Sequence, residues 1–247
     1  MKAIQLIQRS ALILTLLSMP MFVQADEGVQ AEKVAARTLI IGGTQQSNQS
    51  NYTYLGAIRP IWGGELGQGW FQSLIASWLA YQYEVTFNNQ PDTLKAKAPG
   101  IDAGLGYAWT GHDYTLNLSV AAGYRHYNLS PNVPGEKPEG SVFNLTPQIQ
   151  AGYQLTKLID IALLSNYSFG QQSNFNRVRL GAKYIDNWHL GLEAMYQEGR
   201  NYRIQQHGLF ATHYFNNGVS LELSGGQLKS QDDKTTGYFG VAFSKLF

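Results

Sequence analysis

The chain has 247 residues and a formal net charge of +1, with 44% hydrophobic and 13% aromatic residues but only 14% charged ones. Soluble domains carry about 25% charged residues, so an ordinary water-facing surface is excluded for most of this molecule. The absence of cysteine rules out disulfide frameworks, thiolate metal sites and a cysteine nucleophile, and near-neutrality argues against a nucleic-acid partner held through phosphates.

Residues 1–25 place Lys2 and Arg9 before an apolar run from Ala11 to Phe22, followed by Val23-Gln24-Ala25. A basic start, a short apolar stretch broken by Ser18 and Pro20, and a small-residue end predict a cleaved secretory signal peptide. A spanning helix would need ~18 or more apolar residues. Cleavage leaves 222 residues with a net charge of −1. Residues 26–35 are polar, lack strand periodicity and are read as a periplasmic lead-in.

From residue 36 onward, apolar and polar residues alternate in one segment after another. The alternation predicts twelve strands, near 36–44, 51–62, 70–87, 94–109, 114–127, 142–155, 158–169, 175–184, 188–197, 202–214, 219–228 and 236–247. In the fifth, one parity reads Tyr114, Leu116, Leu118, Val120, Ala122 and Tyr124, and the other Thr115, Asn117, Ser119, Ala121, Gly123 and Arg125. The polar parity is rich in Gly, Ser, Thr, Asn and Gln rather than the Lys and Glu of a water-facing sheet. The apolar parity ends in aromatics, as at the two interfaces of a membrane. The predicted fold class is therefore all-β: a transmembrane antiparallel up-and-down β-barrel of about 12 strands, residues 36–247, apolar side out.

A parity shift around Pro99-Gly100 predicts a bulge, and Asn217-Gly218 is the strongest hairpin signal. With both termini periplasmic, the longest and most proline-rich connection, 130–140, falls outside. The last strand closes on Phe247, with Lys245 snorkelling from the apolar parity to the interface.

Parity also assigns charges to the lumen: Arg59, Glu84, Arg125, Arg177, Arg179, Lys183, Glu193, Arg203, His207 and Glu222. A three-residue turn at 185–187 sets Arg179 opposite Glu193 and Lys183 opposite His189. An odd loop around Gly199-Arg200 sets Glu193 opposite His207 and Gln197 opposite Arg203. The result is a row Arg179–Glu193–His207 at a cross-strand spacing of roughly 5 Å. It reads either as a network that satisfies buried charge and stiffens the wall, or as a constriction that selects solutes or grips a polar chain.

Enzymatic signals are sparse. His126 lies on the apolar parity near the outer rim, with Asn128 and Ser130 after it but no paired acid to complete a catalytic group. His207 and His213 sit about 20 Å apart on one strand, with Glu222 facing His213 across a two-residue turn. That spacing excludes one shared metal ion. No G-x-S-x-G, H-E-x-x-H or phosphate-binding loop occurs, so no cofactor and no metal are expected.

Three stretches together resemble the BcsS family, the barrel proteins of bacterial cellulose biosynthesis clusters. They are Tyr52–Ala57 with Leu66–Phe71 and the Trp78…Glu84 strand; Ala98-Pro99-Gly100 leading to Gly104–Tyr107; and Leu129-Ser130-Pro131 through Pro134-Gly135 to the Gln148–Tyr153 strand. The likeness covers roughly 38–155; Asn132-Val133 and Gln72-Ser73 depart from the family pattern. The resemblance implies a non-enzymatic outer-membrane protein accessory to cellulose or related exopolysaccharide synthesis, export or surface retention. Its partners would be outer-membrane lipid and the polymer or its secretion machinery. Glycan contact is expected from the outer loop and rim: Tyr127, Ser130, Pro131, Asn132 and Pro134. The alternatives are a small-solute channel biased to anions by Arg177, Arg179, Lys183 and Arg203, or a lipid-modifying enzyme at His126.

Overall fold

A computed structural model describes residues 38–87, 90–131, 139–185, 187–199, 202–230 and 235–247, with the side chains of 83–87 and 90–92 left out. The signal peptide and lead-in lie outside these residues. Twelve antiparallel strands follow one another: β1 (Leu39–Ser47), β2 (Ser50–Pro60), β3 (Gly69–Phe87), β4 (Gln90–Thr110), β5 (Tyr114–Ser130), β6 (Gly140–Gln154), β7 (Ile159–Ser168), β8 (Ser173–Ile185), β9 (Trp188–Gly199), β10 (Tyr202–Tyr214), β11 (Val219–Ser230) and β12 (Thr235–Leu246). Each pairs with its chain neighbour, and β1 closes the barrel on β12 from Leu39↔Leu246 to Ser47↔Tyr238. Closure leaves no sheet edge to be satisfied in lipid. The predicted strand count, order and closure hold.

The first described residue and the last meet at one end of the barrel, where Thr38 and Phe247 exchange backbone hydrogen bonds of 3.2 and 2.9 Å. Toward the opposite end β4 begins at Gln90, within the expected loop 88–93, and β3 and β4 pair as far as Phe87↔Gln90. The bulge expected at Pro99-Gly100 is absent. The β4–β5 register is the same at Lys97↔Asn128 and Gly100↔Arg125, while Ala98 and Pro99 drop out of that ladder. The Ala98 carbonyl instead accepts Arg125 Nη1 at 2.9 Å. A Cβ at Gly100 would meet the guanidinium carbon at 3.0 Å, so the glycine makes room for Arg125. The register shift that does occur lies between Lys183 and Ile185 in β8.

Every buried hydrophobic side chain points into the barrel, while Leu55, Leu74, Ile101, Leu118, Leu145, Leu163, Leu180, Leu192, Leu221 and their like are exposed on the outside. The outward aromatics form two belts. On β5 they are Tyr114 and Tyr124; ten residues of strand at ~3.4 Å rise and ~40° tilt separate them by roughly 25 Å, the height of a bilayer's apolar band. At the end bearing the termini Lys245 reaches back over the Phe247 ring at 4.5 Å, a snorkelling lysine on an interfacial aromatic.

Beyond the second belt the polarity inverts. Outward positions become Lys95, Lys97, Arg203, Gln205, His207 and Lys229, all exposed, and inward ones Leu94, Ala96, Tyr127, Tyr202, Ile204 and Leu228, all buried. This end of the barrel leaves the bilayer, and its wall is built like that of a soluble barrel: greasy within, charged without.

Candidate functional site: a packed lumen

Three polar clusters stand inside the barrel. The central one is built on Arg179 of β8. Its Nε and Nη2 donate to Glu193 Oε2 of β9 at 3.0 and 2.7 Å, and Nη1 and Nη2 donate to the two oxygens of Glu222 of β11 at 2.8 and 2.7 Å. Tyr238 of β12 donates to Glu193 Oε1 at 2.8 Å and Thr212 of β10 to Glu222 Oε2 at 3.2 Å. The guanidinium lies 4.4 Å above the Phe210 ring. Arg177, buried one step along β8, brings the four charges to zero. Two carboxylates chelated by one guanidinium, with their spare lone pairs filled by hydroxyls, satisfy the condition under which charge survives away from water.

The side chains of this cluster reach across four strands because small residues stand between them. Gly208 of β10 lies directly opposite Glu193, and a Cβ there would strike the Tyr238 hydroxyl. Replacing Tyr238 with Phe is expected to cost about 1.5–3 kcal/mol, the worth of a buried hydrogen bond to a charged group, read from the urea midpoint of the folded barrel.

The facing wall is aromatic. Tyr52 and Tyr54 of β2, six strands away around the barrel, stack at 5.9 Å between ring centroids. Between them and Arg177, Arg179, Glu193 and Glu222 remains a cavity of about 20 Å³, the space of about one water. Gln45 of β1 donates to Gln206 of β10 at 3.2 Å beside it. Nearer the opposite end, buried Arg125 also donates to Ser77 at 2.8 Å, with Asp102 of β4 folded over Gly123. Toward the termini, His189 and Asp160 meet at 2.8 Å.

The sequence-predicted residues divide accordingly. Arg179 faces Glu193, and Lys183 faces His189, as the turn arithmetic requires. Arg125, Arg177 and Glu222 are inside and buried. His207 is not: β9 and β10 are joined by two residues, not an odd number, so Glu193 pairs with Gly208 and His207 with Ala194, on the outer face. The third member of the row is Glu222, with Tyr238. Arg203 is also outside, bound to Glu198 at 2.8 Å, and pairs with it rather than with Gln197. His213 pairs with Leu221, leaving Glu222 to Thr212. Arg59 is exposed on the outer face near the termini, opposite Gln72. The side chain of Glu84 is outside the described portion.

Of the expected glycan contacts, Tyr127 points inward and is 1% exposed, so it closes the lumen rather than lining the rim. Ser130 and Pro131 are exposed at the mouth; Asn132 and Pro134 lie outside the described residues. His126 meets a serine, but Ser141 rather than Ser130: Nδ1 to Oγ is 3.2 Å, and the Tyr124 hydroxyl is 2.8 Å from the same Oγ. No carboxylate makes an ion pair with His126 among the described residues. Among those residues no three of His, Asp and Glu group as metal ligands. Sequence reading missed Asp102, Asp160, Tyr52, Tyr54 and Tyr238. Their strands' parity places all five inside, but aromatics on a mixed strand carry no sign of which face they occupy.

The family model for "Cellulose biosynthesis protein BcsS" matches residues 39–247, β1 through the C-terminus. The chain belongs to the BcsS family. The match extends the sequence resemblance from the first half of the barrel to all of it. A comparison with curated proteins returns no match. Among solved structures, this BcsS-family barrel is similar to the KdgM porin (TM-score 0.53, 11% identity, 85% of this chain and 99% of that one). It is also similar to the COG4313 outer membrane channel from Pseudomonas putida F1 (0.56, 10%, 91% and 100%). A third likeness is the translocator domain of the autotransporter NalP from Neisseria meningitidis (0.54, 15%, 86% and 89%). At such identities the likeness is one of fold; the neighbours are outer-membrane barrels.

Proposed function

We propose that this BcsS-family barrel is a non-enzymatic outer-membrane protein that assists cellulose or related exopolysaccharide synthesis, export or surface retention. The family match over the whole barrel carries the reading. The packed lumen supports an accessory role over a conduit. At the level of Tyr52, Tyr54 and the central cluster a cavity of about 20 Å³ is too small for a glucan chain, and of the cations invoked for an anion channel Arg179 is held by two carboxylates and Arg203 lies outside the wall. The end of the barrel opposite the termini faces outward from the cell, where the connection 130–140 and the rim residues Ser130, Pro131, Asn132 and Pro134 contact the polymer or its secretion machinery.

Shortening 130–140 to a two-residue hairpin is the test of that placement. The variant is expected to stay folded, judged by its heat-modifiable migration, while Congo-red binding by cells falls toward that of a strain lacking the protein. Full dye binding with the loop removed would sink the contact proposed there. His126 and Ser141 belong to the aromatic belt rather than to a catalytic site, so His126→Ala is expected to leave the acylation pattern of outer-membrane lipids unchanged, read by mass spectrometry.

A further inference from the structure

The outer wall of β9–β12 carries a groove. Between Leu190 and Leu192 on one side and Leu223 and Phe239 on the other, a groove of about 610 Å³ opens over Ala211 and Gly225. The ladder places Leu209 beside Gly225 and Gly225 beside Phe239, so the glycine is a gap between two large side chains. Little of the barrel's own packing occupies that gap: a Cβ on Gly225 would meet the Tyr238 carbonyl at a tight 3.3 Å and nothing else closer than 4.0 Å. A strand interior loses stability by holding glycine where a branched side chain would fit.

The groove stops at the second aromatic belt. Phe239 bounds it there, and His207 and Gln227, paired across β10 and β11, come next on the outward face. Immediately above it on the same outward face stand Arg203 of β10, bridged to Glu198, and Lys229 of β11, directly opposite Gln205. An apolar slot at hydrocarbon depth thus leads up to hydrogen-bonding amides and two cations at headgroup depth. This is the reason His207 and Arg203 belong outside: they line a surface, not the lumen.

We propose that this groove binds a phosphorylated, acylated glycolipid of the outer leaflet. An acyl chain lies between Leu192 and Phe239 over Gly225, and the phosphate is held by Lys229 and Arg203, with His207 and Gln227 on the sugar. A chain in a formed slot keeps contacts that a flat wall does not offer, and a phosphate at the membrane surface gains charge-assisted hydrogen bonds from both basic side chains. The site does not rest on the cellulose reading, and either can fail without the other.

The test uses the full protein extracted from outer membranes, with lipopolysaccharide retained per barrel measured by native mass spectrometry after detergent exchange. Wild type is expected to retain one molecule. Gly225→Leu, which fills the slot, and Lys229→Glu, which reverses the headgroup charge, are each expected to retain about tenfold less. Ala103→Leu, on the outward face of β4, serves as a control and is expected to match wild type; heat-modifiable migration confirms folding of all. Equal retention by wild type and Gly225→Leu would overturn the proposal. So would a wild-type dimer without lipid that Gly225→Leu dissociates, since the slot would then belong to a second copy.

Discussion

Arg179→Ala is expected to lower the unfolding free energy of the barrel by roughly 3–5 kcal/mol, the loss that follows when one partner of a buried ion network is removed. The substitution deletes four hydrogen bonds at once and leaves Glu193 and Glu222 inside the barrel with Arg177 as the nearest cation. The cost is the stranded charge rather than the lost attraction. The triple variant Arg179→Met, Glu193→Gln, Glu222→Gln, which removes the charges together, is therefore expected to regain most of the stability. Urea titration of refolded protein in lipid vesicles reads both. A single variant within about 0.5 kcal/mol of wild type, the range of ordinary surface changes, would mean that the cluster is hydrated and exchanges freely with bulk water.

Removing the aromatic wall has a different consequence. Wild type is expected to pass no steady ion current in planar bilayers, because Tyr52 and Tyr54 meet the central cluster across the barrel and leave room for about one water. Tyr52→Ala combined with Tyr54→Ala takes away two side chains that each fill 150–250 Å² of contact surface, on the order given for buried aromatics. Discrete conductance steps are expected from the double variant. Steady conductance through wild type would show that the packing opens in the membrane.

Much of the fold was legible in the sequence because the bilayer enforces it. Within the apolar band each strand must present one face to lipid, so alternation gives strand count, sidedness and, where a turn is fixed, register. The pairing of Arg179 with Glu193 follows from the short connection after Ile185. The failures have two causes. Parity was assigned on the rule that polar means lumen, and that rule reverses outside the bilayer. Arg203, His207 and Arg59 lie at or beyond the aromatic belts, where the outside is wet; Tyr127 lies beyond the belt on the inside, where the barrel closes on itself. The apparent parity shift at Pro99-Gly100 is the same crossing: Lys95 and Lys97 face water and Ile101 faces lipid on one unbroken face of β4. Strand β10 was the hardest case. Neither of its parities is apolar throughout, and a connection of two residues rather than an odd number reverses every assignment. The central cluster was half visible for that reason: Glu222 could be placed inside, but not next to Arg179, because a long guanidinium side chain lying over Phe210 of β10 spans strands that pairing rules keep apart.

The most direct test is cellulose itself, measured as cell-bound and released polymer in a strain from which the gene has been cleanly deleted. Loss of cell-bound cellulose, restored by the wild-type gene in trans, is the predicted result, and it should be restored equally by the conducting Tyr52→Ala, Tyr54→Ala barrel if transport through the lumen is not the function. Unchanged amount and distribution of the polymer in the deletion strain would contradict the account.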